Sequence, residues 1–133
     1  MQTHPIDVTK EVFMHFGNGD IPAIVSLLAD DVVIDFYGPD VIPYAGHYEG
    51  NQHAAEFFKT VLSSVEIHQF EPEEFLSDGN KVTVTGHLRL TALSTGKQIE
   101  SDFVHVITVV DGKWSRFRDF MDTSQAVAAF SNG

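Results

Sequence analysis

The sequence contains no cysteine, and this absence excludes disulfide bonds, zinc–thiolate sites, iron–sulfur clusters and thiol nucleophiles. Basic side chains are scarce, because 8 lysines and arginines stand against 19 aspartates and glutamates, for a net charge of −11. Nucleic acids and anionic membranes recruit proteins through basic surfaces, so we predict no nucleic-acid partner and no membrane partner. No apolar run approaches the ~18–20 residues that a membrane-spanning helix requires.

The N-terminal residues and the chain length narrow the answer further. Residues 1–5 lack a basic stretch followed by an apolar one, so we predict no signal peptide and a cytoplasmic location. The chain has 133 residues, of which 43% are hydrophobic and 11% aromatic. A chain of this length and composition suits one packed domain over residues 1–133.

The first half of the chain predicts three helices, one strand and an ordered loop. Apolar side chains recur at helical spacing in the helices, and proline or aspartate occurs at two of the helix starts. β-Branched and aromatic side chains mark the strand. The helices are predicted at residues 5–16, 20–30 and 51–63, the strand at residues 32–37 and the loop at residues 38–49.

The second half is rich in β-forming residues and is divided by short turn sequences. The turns, at residues 78–80, 94–96 and 111–112, separate predicted strands at residues 65–77, 80–93, 97–110 and 113–122. A final helix is predicted to begin at Thr123 or Ser124. Helices grouped on one face of a strongly curved antiparallel sheet make an α+β domain, and we expect them to enclose a conical cavity.

Several motifs resemble those of a known superfamily. Residues 17–31 are similar to the helical opening of nuclear-transport-factor-2-like (NTF2-like) proteins, which include ketosteroid isomerases, limonene epoxide hydrolases, scytalone dehydratases and SnoaL-like polyketide cyclases. Residues 42–50 and 111–123 resemble SnoaL-like proteins in particular. The resemblance covers nearly the whole chain and implies a curved antiparallel sheet wrapped by N-terminal helices into a cone. It implies no single reaction, because one fold hosts many chemistries.

Two catalytic arrangements of the superfamily are not kept by this sequence. Phe36 stands where the resemblance to ketosteroid isomerases places the base, and Val12 and Val104 stand where it places the two oxyanion donors. Gly86 and Leu88 stand where the resemblance to limonene epoxide hydrolases places an arginine and an aspartate. Neither reaction is therefore expected in its usual form.

One pair of residues matches the SnoaL-type pattern. That pattern has a histidine on the penultimate strand and an aspartate fourteen residues later, and His105 and Asp119 keep this separation. A two-residue turn at residues 111–112 would place Val104 opposite Asp119. A three-residue loop with a glycine bulge would place Phe103 opposite Asp119 and put both site residues on one wall. We predict the bulged loop.

Asp119 is the predicted general acid or base. Phe117 and Met121 flank it on the strand, and such an apolar wall disfavours the charged carboxylate and makes the group usable for proton transfer near neutral pH. His105 is predicted to hydrogen-bond the carboxyl or share its proton. The pair suits removal of a proton next to a carbonyl, which requires no metal and no organic cofactor. The alternatives are an aspartate paired with a neighbouring arginine and a core histidine bonded to a backbone carbonyl.

Further side chains are predicted to shape the cavity. The predicted substrate-binding residues are Phe36, Tyr44, Phe103, Phe117 and Met121. Tyr44 lies in a loop and is expected to place its phenol at the cavity mouth as a hydrogen-bond donor or a lid. Asp35 is expected to be exposed, because it neighbours Phe36 on the strand and faces the opposite way.

The sequence leaves three functions open. The first is a SnoaL-like acid/base enzyme for a small hydrophobic molecule, of the isomerase, cyclase, dehydratase or epoxide-hydrolase type. The second is a non-catalytic domain that binds such a molecule, and the third is a dimeric accessory protein with a filled cavity. The resemblance implies a homodimer through the outer face of the sheet, which carries His87 and Arg89. The histidines show no metal-binding spacing, so no metal site is predicted.

Overall fold

The computed structural model describes residues 4–131. This part of the chain contains four helices and six strands. The helices are α1 (Pro5–Gly17), α2 (Ile21–Ser26), α3 (Asn51–Ser64) and α4 (Thr123–Phe130). The strands are β1 (Leu28–Phe36), β2 (Gly46–Glu49), β3 (Val65–Asp78), β4 (Lys81–Ala92), β5 (Gln98–Val110) and β6 (Lys113–Met121). None of the helices in residues 4–131 is long and apolar enough to cross a membrane.

The strands form one curved open sheet in the order β2-β1-β6-β5-β4-β3. Neighbouring strands are antiparallel except β1 and β6, which run parallel because the last strand of the meander returns beside the first strand of the chain. Two register shifts in β3 mark bulges, which bend and twist a strand. The predicted α+β domain with a curved sheet is confirmed, and the parallel pair is an addition to it.

The structure shortens the second helix and adds a strand. α2 ends at Ser26, earlier than predicted, because the backbone that follows it hydrogen-bonds to β6. The Trp114 N–H donates to the Leu27 carbonyl oxygen at 2.8 Å, and the Leu28 side chain is buried. The predicted loop over residues 38–49 contains β2, whose four residues pair with β1. Both differences depend on partners distant in sequence, which local propensity does not report.

The core lies between the helices and the concave side of the sheet, called here the inner face. Trp114 is fully buried there, and its indole N–H donates to Thr9 Oγ1 on α1 at 3.3 Å. Gly86 is required on this face, because a Cβ atom would lie 2.5 Å from the Phe103 ring and 2.3 Å from the Glu71 carbonyl oxygen. Alternate residues of β4 and β5 are buried, so the residues between them form the opposite, outer face.

Candidate functional site

The turn between β5 and β6 sets the register of the predicted site. Asp111 and Gly112 both have positive φ, 53° and 77°, and Val110 pairs with Lys113 across a two-residue turn. The predicted three-residue loop is therefore wrong. A bulge does occur, but it lies inside β6 at Ser115, where the register shifts by one residue.

This bulge places His105 directly opposite Asp119. Without it the two-residue turn would have put the two side chains on different faces, since a shift of one residue exchanges the faces of a strand. Phe36 on β1 pairs with Asp119 from the other side, so Phe36, Asp119 and His105 form one row on the inner face. Phe103 lies opposite Met121 instead of Asp119, but it keeps the predicted face.

His105 and Asp119 form a close polar pair in apolar surroundings. His105 Nε2 lies 3.2 Å from Asp119 Oδ1, and His105 is only 4% exposed. Aromatic rings surround the imidazole, with the ring centroids of Phe103 and Phe117 at 4.4 Å and 4.8 Å. His105 Nδ1 is buried and has no hydrogen-bond partner among residues 4–131. The structure thus brings the two predicted catalytic residues together.

The unpartnered nitrogen constrains how the pair carries its protons. An imidazolium would have an N–H at both nitrogens, and a buried N–H without an acceptor is costly. The neutral tautomer with its proton on Nε2 leaves only a lone pair unsatisfied at Nδ1. A proton on Nδ1 would thus lie buried without an acceptor among residues 4–131.

A cavity of about 70 Å³ lies beside the pair. The predicted residues Phe36, Tyr44, Phe117 and Met121 line it together with His105 and Asp119. Most of the other lining side chains are aliphatic or aromatic. Because sites for drug-sized ligands measure ~300–1,000 Å³, an occupant of this cavity must be small or must displace side chains.

Phe103 is not among the residues that line the cavity, and several side chains that the sequence did not place there are. The Phe103 ring stacks on Phe70 at a centroid distance of 4.8 Å and supports His105 from behind. Phe13 from α1 and Phe57 from α3 are among the lining residues that sequence reasoning missed. The helical apolar stripes predicted these helices to be buried on one side, but a stripe does not show which buried side chain borders empty space.

Tyr44 contributes a phenol to the cavity wall. The loop between β1 and β2 carries it, and its ring is only 3% exposed between Phe36 and Phe130, at centroid distances of 5.0 Å and 5.9 Å. Burial, and then the charge of Asp119, raises the pKa of the Tyr44 phenol, so the hydroxyl stays protonated. Its hydroxyl makes no hydrogen bond to any other residue between 4 and 131, which leaves a donor at the cavity.

Asp35 is buried, which corrects the expectation that it is exposed. It lies on the outer face with 8% exposure, where His47 Nδ1 approaches Asp35 Oδ1 to 2.5 Å and Arg116 Nη2 donates to Asp35 Oδ2 at 3.0 Å. Burial acts to raise the pKa of Asp35, but the hydrogen bonds from His47 and Arg116 outweigh it and lower the pKa. These partners explain why a carboxylate is buried here, and the β1 sequence does not indicate them because they lie on other strands.

A second histidine on the outer face is also held by carboxylates. His87 Nδ1 and Nε2 lie 2.9 Å from Asp102 Oδ1 and 2.9 Å from Glu100 Oε2, and these hydrogen bonds raise the pKa of His87. Each carboxylate binds a different ring nitrogen, so the three groups do not converge on one point. Nowhere in residues 4–131 do three or more histidine, aspartate or glutamate side chains form a group that could hold a metal ion.

Solved structures similar to this chain share its architecture. An NTF2-like protein of Burkholderia xenovorans is 28% identical, with 98% of each chain covered and a TM-score of 0.89. An NTF2-like protein of Burkholderia pseudomallei is 27% identical, with 98% of this chain and 99% of that chain covered and a TM-score of 0.85. TerC, co-crystallised with polyporic acid, is 27% identical, with 96% of this chain and 98% of TerC covered and a TM-score of 0.82.

The family is shown by the sequence itself. No curated protein matches the chain. The SnoaL-like domain family matches residues 9–117, a range that runs from α1 into β6 and covers most of the 133 residues. The predicted resemblance is therefore confirmed, and the chain belongs to the SnoaL-like domain family, with an NTF2-like fold.

Proposed function

We propose that this protein is an acid/base enzyme that moves a proton on a small hydrophobic molecule, with Asp119 as the group that accepts and returns the proton. The proposal is carried by the Asp119 carboxylate, which lies 3.2 Å from an imidazole in the wall of a mostly apolar cavity. Keeping an ionisable group in such a wall disfavours folding, and conflicts of this kind concentrate at functional sites.

The accessibility of the two side chains supports different roles for them. Both line the cavity, but the Asp119 side chain is 15% exposed, whereas the His105 side chain is 6% exposed and lies among aromatic rings. Asp119 is therefore the group that meets the substrate. We assign His105 a positioning role, because its Nε2 lies 3.2 Å from Asp119 Oδ1 while the imidazole itself is the more buried of the two groups.

The proposed reaction begins at a carbon next to a substrate carbonyl. The Asp119 carboxylate takes a proton from this carbon, and the electron pair of the broken C–H bond moves onto the carbonyl oxygen to give an enolate. Where a C=C bond is conjugated with the enolate, return of the proton from Asp119 to the far carbon of that bond shifts the double bond and completes an isomerisation. Where the enolate carbon attacks a second carbonyl, a C–C bond forms, the C=O electron pair becomes an alkoxide, and the proton passes from Asp119 to this oxygen to complete a cyclisation. Neither route requires an organic cofactor.

Tyr44 supplies the hydrogen-bond donor in this scheme. An enolate oxygen needs a protonated donor in a site with little water. Burial and the nearby Asp119 charge keep the Tyr44 phenol protonated, and its hydroxyl has no other partner among residues 4–131. Its ring is held by Phe36 and Phe130, so the donor is oriented before the substrate binds.

The experiment that tests the proposal follows exchange of carbon-bound hydrogen. The protein is incubated in D₂O with a panel of small ketones, and NMR measures the loss of the proton next to each carbonyl. We expect the wild type to accelerate exchange for at least one ketone and Asp119→Asn to reduce that rate by about 100-fold or more. Polyporic acid, with which TerC was co-crystallised, serves as a binding probe by calorimetry for both proteins.

Asp102→Asn is the matched control for Asp119→Asn. Asp102 also contacts a histidine, but it lies on the outer face and is exposed. Its substitution is expected to leave exchange unchanged. Equal exchange in the wild type and in Asp119→Asn would remove Asp119 from the mechanism.

A non-catalytic binding domain is the second candidate. It is favoured by Phe36, an unreactive ring in the row that also holds Asp119. This alternative predicts that the wild type binds polyporic acid or a member of the ketone panel but exchanges no carbon-bound hydrogen.

We also propose that two copies associate through the outer face. Val104 and Val106 are half-buried at its centre, with Arg116 and Arg118 toward one side and Glu100 toward the other. A twofold arrangement of two such faces brings the opposite charges together. Sedimentation of the wild type is expected to give a dimer that Val104→Asp converts to a monomer, and a monomeric wild type would refute the arrangement.

A further inference from the structure

We infer that four side chains on the outer face act as a clasp that holds the Tyr44 loop in place and loosens when His47 loses its proton. The His47 clasp consists of Asp35, His47, Glu49 and Arg116. The inference rests on the proposed function in one respect, since it matters for activity only if Tyr44 serves the cavity as proposed.

The clasp links three strands. His47 Nδ1 lies 2.5 Å from Asp35 Oδ1, and His47 Nε2 lies 2.9 Å from Glu49 Oε1. Arg116 on β6 donates to the other Asp35 oxygen at 3.0 Å. β2 is an edge strand, so these side-chain bonds add to the short ladder of four residue pairs that joins it to β1.

The position of the clasp couples it to the cavity. Residues 37–45 join β1 to β2, and Asp35 pairs with His47 next to the pair Phe36–Gly46, which closes this loop. β2 also binds Tyr44 directly, because the Tyr48 hydroxyl donates to the Tyr44 carbonyl oxygen at 3.0 Å. A displacement of β2 therefore moves the backbone that carries the Tyr44 phenol.

The contacts of His47 make the clasp sensitive to protonation. An imidazole donates to two carboxylates only when both its nitrogens carry a proton. The hydrogen bonds to Glu49 and Asp35 accordingly raise the pKa of His47. When the pH rises through that pKa, one donor is lost and a neutral ring remains between two carboxylates.

Two arginines on β6 are further charged groups near His47. On β6, Arg116 donates to Asp35 Oδ2, and Arg118, which pairs with Asp35 across β1 and β6, donates from Nε to the Tyr37 hydroxyl oxygen at 3.3 Å. α3 packs on the opposite face of β2, where the rings of Tyr48 and Phe57 meet at 5.2 Å. The lowered pKa of Asp35 keeps its carboxylate charged, so the clasp is complete at pH values between the two pKa values.

His87 provides an internal control. It has the same two-carboxylate surroundings, but it lies in the middle of β4, which pairs with β5 over eleven residues. Loss of its proton changes the charge of the outer face without acting on a short edge strand. His87→Gln therefore separates a general charge effect from an effect on the Tyr44 loop.

The test is an NMR titration of the protein without ligand, from about pH 5.5 to about pH 9. The amide signals of Ile42 and Tyr44 are expected to shift with the midpoint of the His47 imidazole. The shift should be lost in His47→Gln and kept in His87→Gln. Glu49→Gln, which removes one carboxylate, is expected to move the midpoint toward the ordinary histidine value.

Loop signals that do not titrate, or that titrate equally in the wild type and in His47→Gln, would overturn the inference. The measurement involves no substrate, so such a result would leave the deuterium-exchange experiment on Asp119 to decide the proposed reaction separately. Conversely, absence of exchange with an intact loop titration would reject the reaction and retain the clasp.

Discussion

On the inner face of the sheet, His105 meets one carboxylate and turns its second nitrogen toward aromatic rings. On the outer face, His47 and His87 each lie between two carboxylates, and every ring nitrogen has a partner. The outer arrangement favours the charged imidazole and raises the pKa of both histidines. In the inner arrangement, a proton on His105 Nδ1 would be buried without an acceptor among residues 4–131.

The comparison indicates that burial and the number of partners, rather than residue type, distinguish the histidine–carboxylate groups of the two faces. The carboxylates around His47 and His87, all exposed except that of Asp35, stabilise the protonated imidazole. Asp119, in contrast, has the His105 imidazole on one side and a cavity on the other, so its carboxylate retains the capacity to accept a proton from a ligand. Histidine and carboxylate side chains thus stabilise the structure on the outer face and, in our proposal, carry out the chemistry on the inner face.

The largest expected effect comes from removing the inner core that supports this pair. Trp114→Ala deletes a fully buried indole that stacks on Phe117 and bonds Thr9, and we expect the free energy of unfolding to fall by about 3–5 kcal/mol. Phe120→Ala, on the outer face, removes a half-buried ring and is expected to cost about 1 kcal/mol. Urea denaturation measures both. Similar losses for the two variants would contradict the assignment of the core to the inner face.

A smaller difference in the free energy of unfolding is expected between variants of Asp35 and Asp119. Asp35→Asn removes a charged acceptor that binds His47 and Arg116, and the free energy of unfolding should fall by about 1.5–3 kcal/mol. Asp119→Asn removes a charge from an apolar wall, so its unfolding free energy should stay within about 1 kcal/mol of the wild type or increase. Denaturation near neutral pH compares the two variants. Greater destabilisation by Asp119→Asn would indicate that Asp119 is a structural group.

The smallest effect concerns pH. Because folding raises the pKa of His47 and His87, their contribution to stability is complete below the pKa of an unfolded histidine and disappears as the pH rises through the folded values. The melting temperature should therefore decrease more between about pH 6 and about pH 9 in the wild type than in a variant with glutamine at both positions. Parallel melting curves for the two proteins would refute this contribution of the outer histidines.

The strands of the second half were predictable because turn-forming residues mark their ends. Asp111 and Gly112 both adopt positive φ, a requirement that aspartate and glycine meet at little cost, and β5 and β6 begin and end within one residue of their predicted limits. Strand alternation alone left the relative faces of His105 and Asp119 dependent on the turn between their strands, and the loop predicted there was wrong. The end of α2 and the presence of β2 were not predictable in this way, since each depends on a partner strand distant along the chain.

The sequence predicted which two residues form the candidate site, but not how they are arranged in space. The spacing of His105 and Asp119 matched a pattern, and it was the bulge at Ser115, which no local sequence signal marked, that placed them opposite each other. The burial of Asp35 also escaped the sequence, because its partners His47 and Arg116 come from two other strands. A period-two pattern reports which face a side chain occupies, but not what it meets there.

The amino-acid sequence alone determined the α+β class and the division of each β-strand into two faces, because these follow from local periodicity and turn chemistry. It also determined the family, through motifs that resemble those of SnoaL-like proteins. Only the tertiary structure decided the row of Phe36, Asp119 and His105, the size of the cavity and the enclosure of His47 between two carboxylates. Each of these depends on the register between strands that are far apart in the chain, and register is a property of their packing together.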